Sequence, residues 1–278
     1  MEIIKFIQSF SNSFLDSFFT GVTMLGEQYF TILFVLVVFW CVNKKFGYKL
    51  GFALGLGVVF NGMLKDIFKA PRPIGKEGIR SLRTNTATGY SFPSGHTQNT
   101  TTFWTSLMIN IKRSWLYIVG TIMIVLTAIS RLYLGVHWPK DVIGGIIFGI
   151  ISALAANYLF DYMDKNNDKR VFLILVIIAL IGLIFFKSRD YAKAVGVFLG
   201  FFIGYVIEDK YVKFEVKTKL LKQVIKVLLG AVVVAVVMVL FKKVLPVSRF
   251  SDLIRYFMVG LWCTAGATYM FKKLRLYN

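Results

Sequence analysis

The chain has 278 residues, 56% of them hydrophobic, and a formal net charge of +19. Its mean hydropathy of +0.66 exceeds what a soluble domain of this size carries and points to a polytopic membrane protein. The positive charge then belongs with loops beside anionic lipid headgroups rather than with nucleic acid, and no nucleic-acid-binding motif is present.

Residues 3–22 place Ile3, Ile4, Phe6, Ile7, Phe10, Phe14 and Phe18 at roughly helical spacing among Gln8, Ser9, Asn12 and Asp16. That segment is too polar to span and predicts an amphipathic helix lying in the membrane interface. It lacks the cationic start, compact apolar run and cleavage site of a signal peptide. Apolar stretches at residues 27–43, 48–69, 115–134, 139–162, 170–186, 191–207, 223–241 and 255–271 are each near the length that crosses the hydrocarbon layer. The segment 93–111 carries Thr97, Gln98, Asn99, Thr100, Thr101 and Thr102. It spans if that face turns into the bundle. The expected fold is an all-α transmembrane bundle of about nine spans. Three parts follow along the chain: an interfacial segment at 1–26, a helical bundle at 27–164 and further spans at 165–278.

Loops near 43–49, 112–114, 164–170 and 208–222, together with the tail from 272, fall on one side of this arrangement. They hold Lys44, Lys45, Lys112, Arg113, Lys169, Arg170, Lys272 and Lys273 among others. The positive-inside rule makes that side cytoplasmic. Gly196, Gly200 and Gly204 share one helical face that lets two helices approach closely, either within the monomer or across a homodimer seam. Cys41 and Cys263 lie in apolar stretches and read as small buried hydrophobes.

Three short motifs sit at the opposite, outward ends of these spans. Lys65 is followed after six residues by Arg72-Pro73; Pro93-Ser94-Gly95-His96 opens a helix; Ser130-Arg131 is followed by His137 and then Asp141. The chain uses histidine only twice, each time beside Ser, Arg or Asp. Histidine is the side chain best suited to proton transfer and nucleophilic attack near neutral pH. Lys65 and Arg72 can offer a point charge and a rigid fork to one phosphate, although cations at a membrane edge also snorkel to headgroups. A helix start at Gly95 offers free backbone N–H groups to an anion, with Ser94 adding a hydroxyl; it also reads as a plain cap. Pro139 starts the next helix, and Asp141 suits its positive end. From there the carboxylate can reach back to His137 and orient it, or serve only as a cap. Taken together, four phosphate-directed side chains and two histidines at one membrane face fit phosphoryl transfer by positioning and charge. No carboxylate cluster is available there to hold a metal ion, so neither a metal nor another cofactor is expected.

These motifs, all filled and in order, resemble the three signatures of the type 2 phosphatidic acid phosphatase superfamily over about residues 10–160. The resemblance implies a metal-independent phosphatase with a phosphohistidine intermediate. It makes His137 the nucleophile, Asp141 its orienting partner and His96 the general acid for the leaving alcohol. It gives Lys65, Arg72, Ser94, Gly95 and Arg131 to the phosphoryl group. The implied substrate is a lipid phosphate monoester or diphosphate, taken from the surrounding membrane lipids at the extracytoplasmic face of the cell membrane. A lipid phosphotransferase would use the same residues. A lipid transporter or flippase is the rival of a different class, but paired interrupted helices are not evident and mid-span ionisable groups are few. The chain departs from the six-span bacterial pattern in lacking a usual first span and in its extra spans after 165, somewhat as in sphingosine-phosphate phosphatases.

Overall fold

Asn12 breaks the amphipathic N-terminal segment in two. In the computed structural model, which describes residues 1–277, helix α1 covers Glu2–Ser9 and α2 covers Ser13–Leu25. The Asn12 side chain accepts from Leu15 N at 2.9 Å and so caps α2. A single continuous helix over 3–22 is therefore replaced by a helix pair, because the cap satisfies backbone donors that a continuous helix would have paired internally. Helix α3 (Gln28–Val37) follows after a 48° bend, and α2 with α3 together are apolar enough to count as one broken span. Gly26 sits at the bend. A Cβ there would lie 2.8 Å from Thr100 Oγ1 and 2.9 Å from Thr127 Cγ2, so only glycine lets the backbone pass.

The remaining helices are α4 (Lys44–Phe68), α5 (Gly95–Ile111), α6 (Ser114–Tyr133), α7 (Pro139–Lys165), α8 (Arg170–Phe185), α9 (Arg189–Ile207), α10 (Leu220–Val244), α11 (Arg249–Leu261) and α12 (Ala267–Lys273). No strand occurs among the described residues. By length and composition α4, α6, α7, α9 and α10 qualify as spans, and the bent α2–α3 pair makes six. The sequence reading of about nine is not reached on this measure. Helix α8 is apolar but 16 residues long. Helix α5 is shorter than a usual span and buries its polar residues Thr97–Thr102 inside the protein. The stretch 255–271 is interrupted by a π-helical turn at Trp262–Gly266.

The chain divides into two units. The first comprises Met1–Thr31 and Phe60–Asn157. Within it α5 packs on α6, and α7 crosses α5 closely at Gly145 and Gly149. Cβ atoms at those glycines would stand 2.9 Å from Thr97 Cβ and 2.5 Å from Thr101 Cβ. Several groups on the polar face of α5 pair with side chains of its neighbours, while Thr100 Oγ1 and Thr101 Oγ1 are buried without a hydrogen-bond partner among the described residues. Asn99 donates to Thr31 Oγ1 at 2.9 Å, Asn61 donates to Gln98 Oε1 at 2.8 Å, and Asn110 donates to Asn157 Oδ1 at 2.6 Å. Burying such groups unpaired costs several times more than pairing them contributes. Helix α1 is held by Gln8, whose amide donates to the carbonyls of Arg80 and Tyr133 while accepting from Arg80 N.

The second unit comprises Ile32–Val59 and Tyr158–Asn278. Residues 32–59 thus belong with the C-terminal helices. Gly196, Gly200 and Gly204 are used within the chain: they let α9 lie against α11 and the turn that follows it. A Cβ at Gly200 would stand 2.1 Å from Phe257 O, and one at Gly260 would stand 2.4 Å from Val197 O. At one end of this unit the buried carboxylate of Glu208 accepts from Tyr48 OH (2.6 Å), Lys44 Nζ (3.1 Å) and Phe214 N (2.6 Å). The buried Lys226 ammonium donates to Trp40 O at 2.7 Å.

This glycine packing makes a direct prediction. Gly200→Ala forces a methyl into the α11 backbone and should destabilise the protein by ~1–3 kcal/mol. Gly21→Ala on α2, where nothing lies within 4 Å of the added carbon, should be neutral or stabilising by up to ~1 kcal/mol. Thermal unfolding of the two variants in detergent tests the contrast. Equal midpoints would remove close helix contact as the reason for the glycine at 200.

Candidate active site

The three sequence motifs fall at the C-terminal end of α4, the N-terminal end of α5, and the turn between α6 and α7. All lie in the first unit. Arg72 follows α4, between Pro71 and Pro73. Its guanidinium is fixed by backbone carbonyls: Nε donates to Gly89 O at 3.0 Å, Nη2 to Thr88 O at 2.8 Å and Tyr90 O at 3.2 Å, and Nη1 to Val136 O at 3.0 Å. The same Nη1 stands 2.9 Å from His137 Nε2. Because guanidinium has no lone pair to offer, Nε2 is the acceptor there and the ring proton resides on Nδ1.

His137 is buried in the tight turn between α6 and α7, and its Nδ1 faces Asp141 Oδ2 at 3.4 Å. The sequence expectation that Asp141 reaches back to His137 is met at a distance longer than an ordinary hydrogen bond. The carboxylate has nearer partners: Oδ2 accepts from Trp138 N at 2.7 Å and from the Ser91 hydroxyl. The Asp141 backbone carbonyl also accepts from Ser94 N at 2.9 Å, which docks the start of α5 onto the start of α7. Burial, the cations Arg72, Arg131 and Lys65, and His96 hold the His137 imidazole well below its ordinary protonation range. The ring is therefore neutral at pH 7, with its Nε2 lone pair turned to Arg72.

Ser94 is the N-terminal cap residue of α5, yet its side chain makes no capping bond. Its hydroxyl accepts from Thr97 Oγ1 at 3.0 Å. The first N–H groups of the helix are left without a side-chain cap, which is the arrangement that receives an anion. A Cβ on Gly95 would lie 3.7 Å from Lys65 Nζ and 3.4 Å from Asn61 Oδ1, so any side chain at 95 would project toward the lysine. On α6, Arg131 is fully buried. Its Nη1 donates to Thr23 Oγ1 at 2.7 Å, whereas Nε and Nη2 have no hydrogen-bond partner among the described residues. The buried Nε2 of His96 is likewise without a partner. Lys65, Arg72 and Arg131 all act electrostatically on both histidines.

Several site residues were not singled out from the sequence. Ser91 binds Asp141, Thr23 binds Arg131, and Glu27 pairs with Arg83 at 2.6 Å, with Arg83 acting in turn on His96 and Arg131. Thr23 lies 108 positions from Arg131 and Glu27 lies 56 from Arg83, beyond any local pattern, so only the fold brings the α2–α3 bend to these cations. Ser91 did carry a signal, lying between two aromatic residues just before the Pro93-Ser94-Gly95-His96 motif. Among the described residues no three His, Cys, Asp or Glu side chains gather to hold a metal ion.

Comparison with known proteins places the chain in a family. Residues 46–165 match the family described as the PAP2 superfamily, and residues 192–278 match its description "PAP2 superfamily phosphatase, transmembrane extension". The chain is 32% identical over 204 residues to a probable sphingosine-1-phosphate phosphatase of Dictyostelium discoideum, covering 67% of this chain and 49% of that protein. It thus spans about half the length of that relative. It is 30% identical over 139 residues to a putative undecaprenyl-diphosphatase of Escherichia coli, covering 49% of this chain and 69% of that one. The crystal structure of Aquifex aeolicus LpxE superposes with a TM-score of 0.50 at 28% identity, covering 56% of this chain and 92% of the other. The signatures at Lys65–Arg72, Ser94–His96 and Arg131–Asp141 all fall inside the first matched region, and the chain belongs to the PAP2 superfamily.

Proposed function

We propose that this protein is a metal-independent phosphatase that hydrolyses a lipid phosphate monoester or diphosphate through a phosphohistidine on His137. The observation that carries the reading is the contact between Arg72 Nη1 and His137 Nε2 at 2.9 Å, with Nδ1 turned toward Asp141. It keeps the ring nitrogen that faces a phosphate-binding cation unprotonated, and the Arg72 N–H now on Nε2 passes to a phosphoryl oxygen before that lone pair attacks. In the first step Nε2 attacks phosphorus, the bond from phosphorus to the leaving oxygen breaks, and His96 gives that oxygen a proton. Asp141 balances the positive charge that the imidazole then carries. In the second step His96 takes a proton from water, the water oxygen attacks phosphorus, and the bond to Nε2 breaks to release inorganic phosphate. Lys65, Arg72, Arg131, the Ser94 hydroxyl and the backbone at Gly95 hold the phosphoryl oxygens.

The names of the relatives support a lipid phosphate as substrate, one of them a sphingoid phosphate and another an isoprenyl diphosphate. The loop charges support an extracytoplasmic site, since Lys112 and Arg113 lie at the end of α5 opposite to Gly95. In this reading α5, α8 and the interrupted α11–α12 stretch also cross the membrane, for about nine spans. Residues 27–164 carry the chemistry, and 165–278 are an accessory transmembrane part.

Substituting His137 by Ala should abolish phosphate release from lipid phosphates in the presence of a chelator, whereas wild type should keep its full rate there. Acid-quenched wild type should carry phosphate on histidine. Retention of more than a few per cent of activity by His137→Ala removes the covalent mechanism.

Because the chain has only two histidines, ring nitrogen NMR can assign each by comparison with His96→Gln. A base held below its ordinary range stays unprotonated as pH falls through about 6.5. His137 should therefore remain the neutral, Nδ1-protonated tautomer at that pH and gain its second proton only below it. A midpoint at or above 6.5 contradicts the electrostatic account.

In a background lacking Cys41 and Cys263, Asn85→Cys should react with a membrane-impermeant thiol reagent on intact cells and Arg113→Cys should not. The reverse pattern places the site on the cytoplasmic face.

A further inference from the structure

Ser91 is fully buried and has no part in the roles assigned above. Its backbone N–H donates to Ala70 O at 2.8 Å, which pins the segment before Pro93 to the residues following α4. Its hydroxyl donates to Asp141 Oδ2. A hydroxyl has one proton and two lone pairs, so once its proton is committed to the carboxylate, Oγ can only accept from other groups. Ser91 Oγ stands 3.4 Å from His137 Nδ1, the same separation as Asp141 Oδ2 from that nitrogen. The Nδ1 proton therefore faces two acceptors, a hydroxyl oxygen and a carboxylate oxygen, which are themselves joined.

Resting on the reading of His137 as nucleophile, we propose that Ser91 is a positioning residue for the His137–Asp141 pair, locking the carboxylate rotamer and helping to hold the ring as the Nδ1–H tautomer. Without its hydroxyl, Asp141 Oδ2 keeps only the Trp138 N–H as a near donor. The other carboxylate oxygen, Oδ1, is buried and has no partner to resist rotation of the group. A carboxylate free to turn about its bond no longer presents a fixed oxygen to Nδ1, and the tautomer that exposes the Nε2 lone pair is less favoured. The cost falls where charge develops on the ring, in the step that forms the phosphohistidine. The phosphate cradle of Lys65, Arg72, Ser94, Gly95 and Arg131 does not touch Ser91 through any of these bonds, so ground-state binding should be spared.

Two variants separate a hydrogen-bonding role from mere filling of space. Ser91→Ala removes the hydroxyl; Ser91→Cys keeps nearly the same volume but offers only a weak donor. The assay uses the full-length protein in detergent, with dioctanoyl phosphatidic acid as substrate and orthovanadate as a probe of the phosphate cradle. Both variants should lose about tenfold to a hundredfold in kcat, the range set by loss of a hydrogen bond to a charged group. KM and the vanadate inhibition constant should stay within about twofold of wild type. If Ser91→Ala does not fold, Ser91→Cys alone decides the matter. A Ser91→Cys enzyme with kcat within about twofold of wild type overturns the proposal, as does a loss shared equally by KM and vanadate affinity. His137→Ala is measured alongside: activity in that variant would sink the phosphohistidine reading, whereas an inactive His137→Ala beside a fully active Ser91→Cys would sink the role of Ser91 alone.

Discussion

The catalytic end of the first unit depends on one buried carboxylate. Asp141 receives the Trp138 N–H, the Ser91 hydroxyl and the approach of His137 Nδ1 on a single oxygen, while its backbone carbonyl takes the Ser94 N–H. Those four contacts join the turn before α7, the segment leading into α5, and the first turn of α7 itself. A buried carboxylate is tolerated only where donors compensate for the water it has lost. The need to supply them fixes where the Pro93–His96 segment must dock, and hence where His96 and the open end of α5 stand relative to His137.

Around that junction the charge is unbalanced by design of the sequence. Lys65, Arg72 and Arg131 act electrostatically on both histidines, and Arg131 keeps two buried donors unpaired among the described residues. Such groups cost several kcal/mol each in an apolar interior, on the order expected for incompletely satisfied buried charge. On the function proposed above, a phosphoryl group would pair these donors, and their cost would return as affinity and transition-state stabilisation. Arg72 plays the other part: its backbone-carbonyl partners hold the guanidinium in place beside His137.

The second unit solves a different problem. Between apolar helices the hydrophobic effect offers little in lipid, and close backbone contact must supply the association. The α9 glycines meeting the backbone of α11 near Phe257 do so, and the knot around Glu208 satisfies a buried carboxylate at the end of the same helix. No motif for phosphate chemistry lies in this unit's C-terminal helices, which match the transmembrane extension of the superfamily.

Much of the site was legible before any coordinates. Histidine is scarce here, and Lys65, Arg72, Ser94, His96, Arg131, His137 and Asp141, the residues of the proposed site, sit in short local patterns. Apolar stretches announced helices because backbone groups in hydrocarbon must pair internally. What local patterns could not contain was long-range pairing. That Thr23 holds Arg131, that Gln8 ties α1 to the loop at Arg80, and that Ser91 competes for Asp141 are decided by how distant segments meet. The same holds for the N-terminal segment. Its amphipathic period is visible in sequence, but the Asn12 cap and the bend at Gly26 turn it into a broken pair, because backbone capping and close approach to Thr100 and Thr127 outweigh helical continuity. The sequence determined the helices and the chemical groups available to them. Tertiary structure alone decided which buried donor meets which buried acceptor, since the cost of leaving either unpaired is settled only when the helices pack.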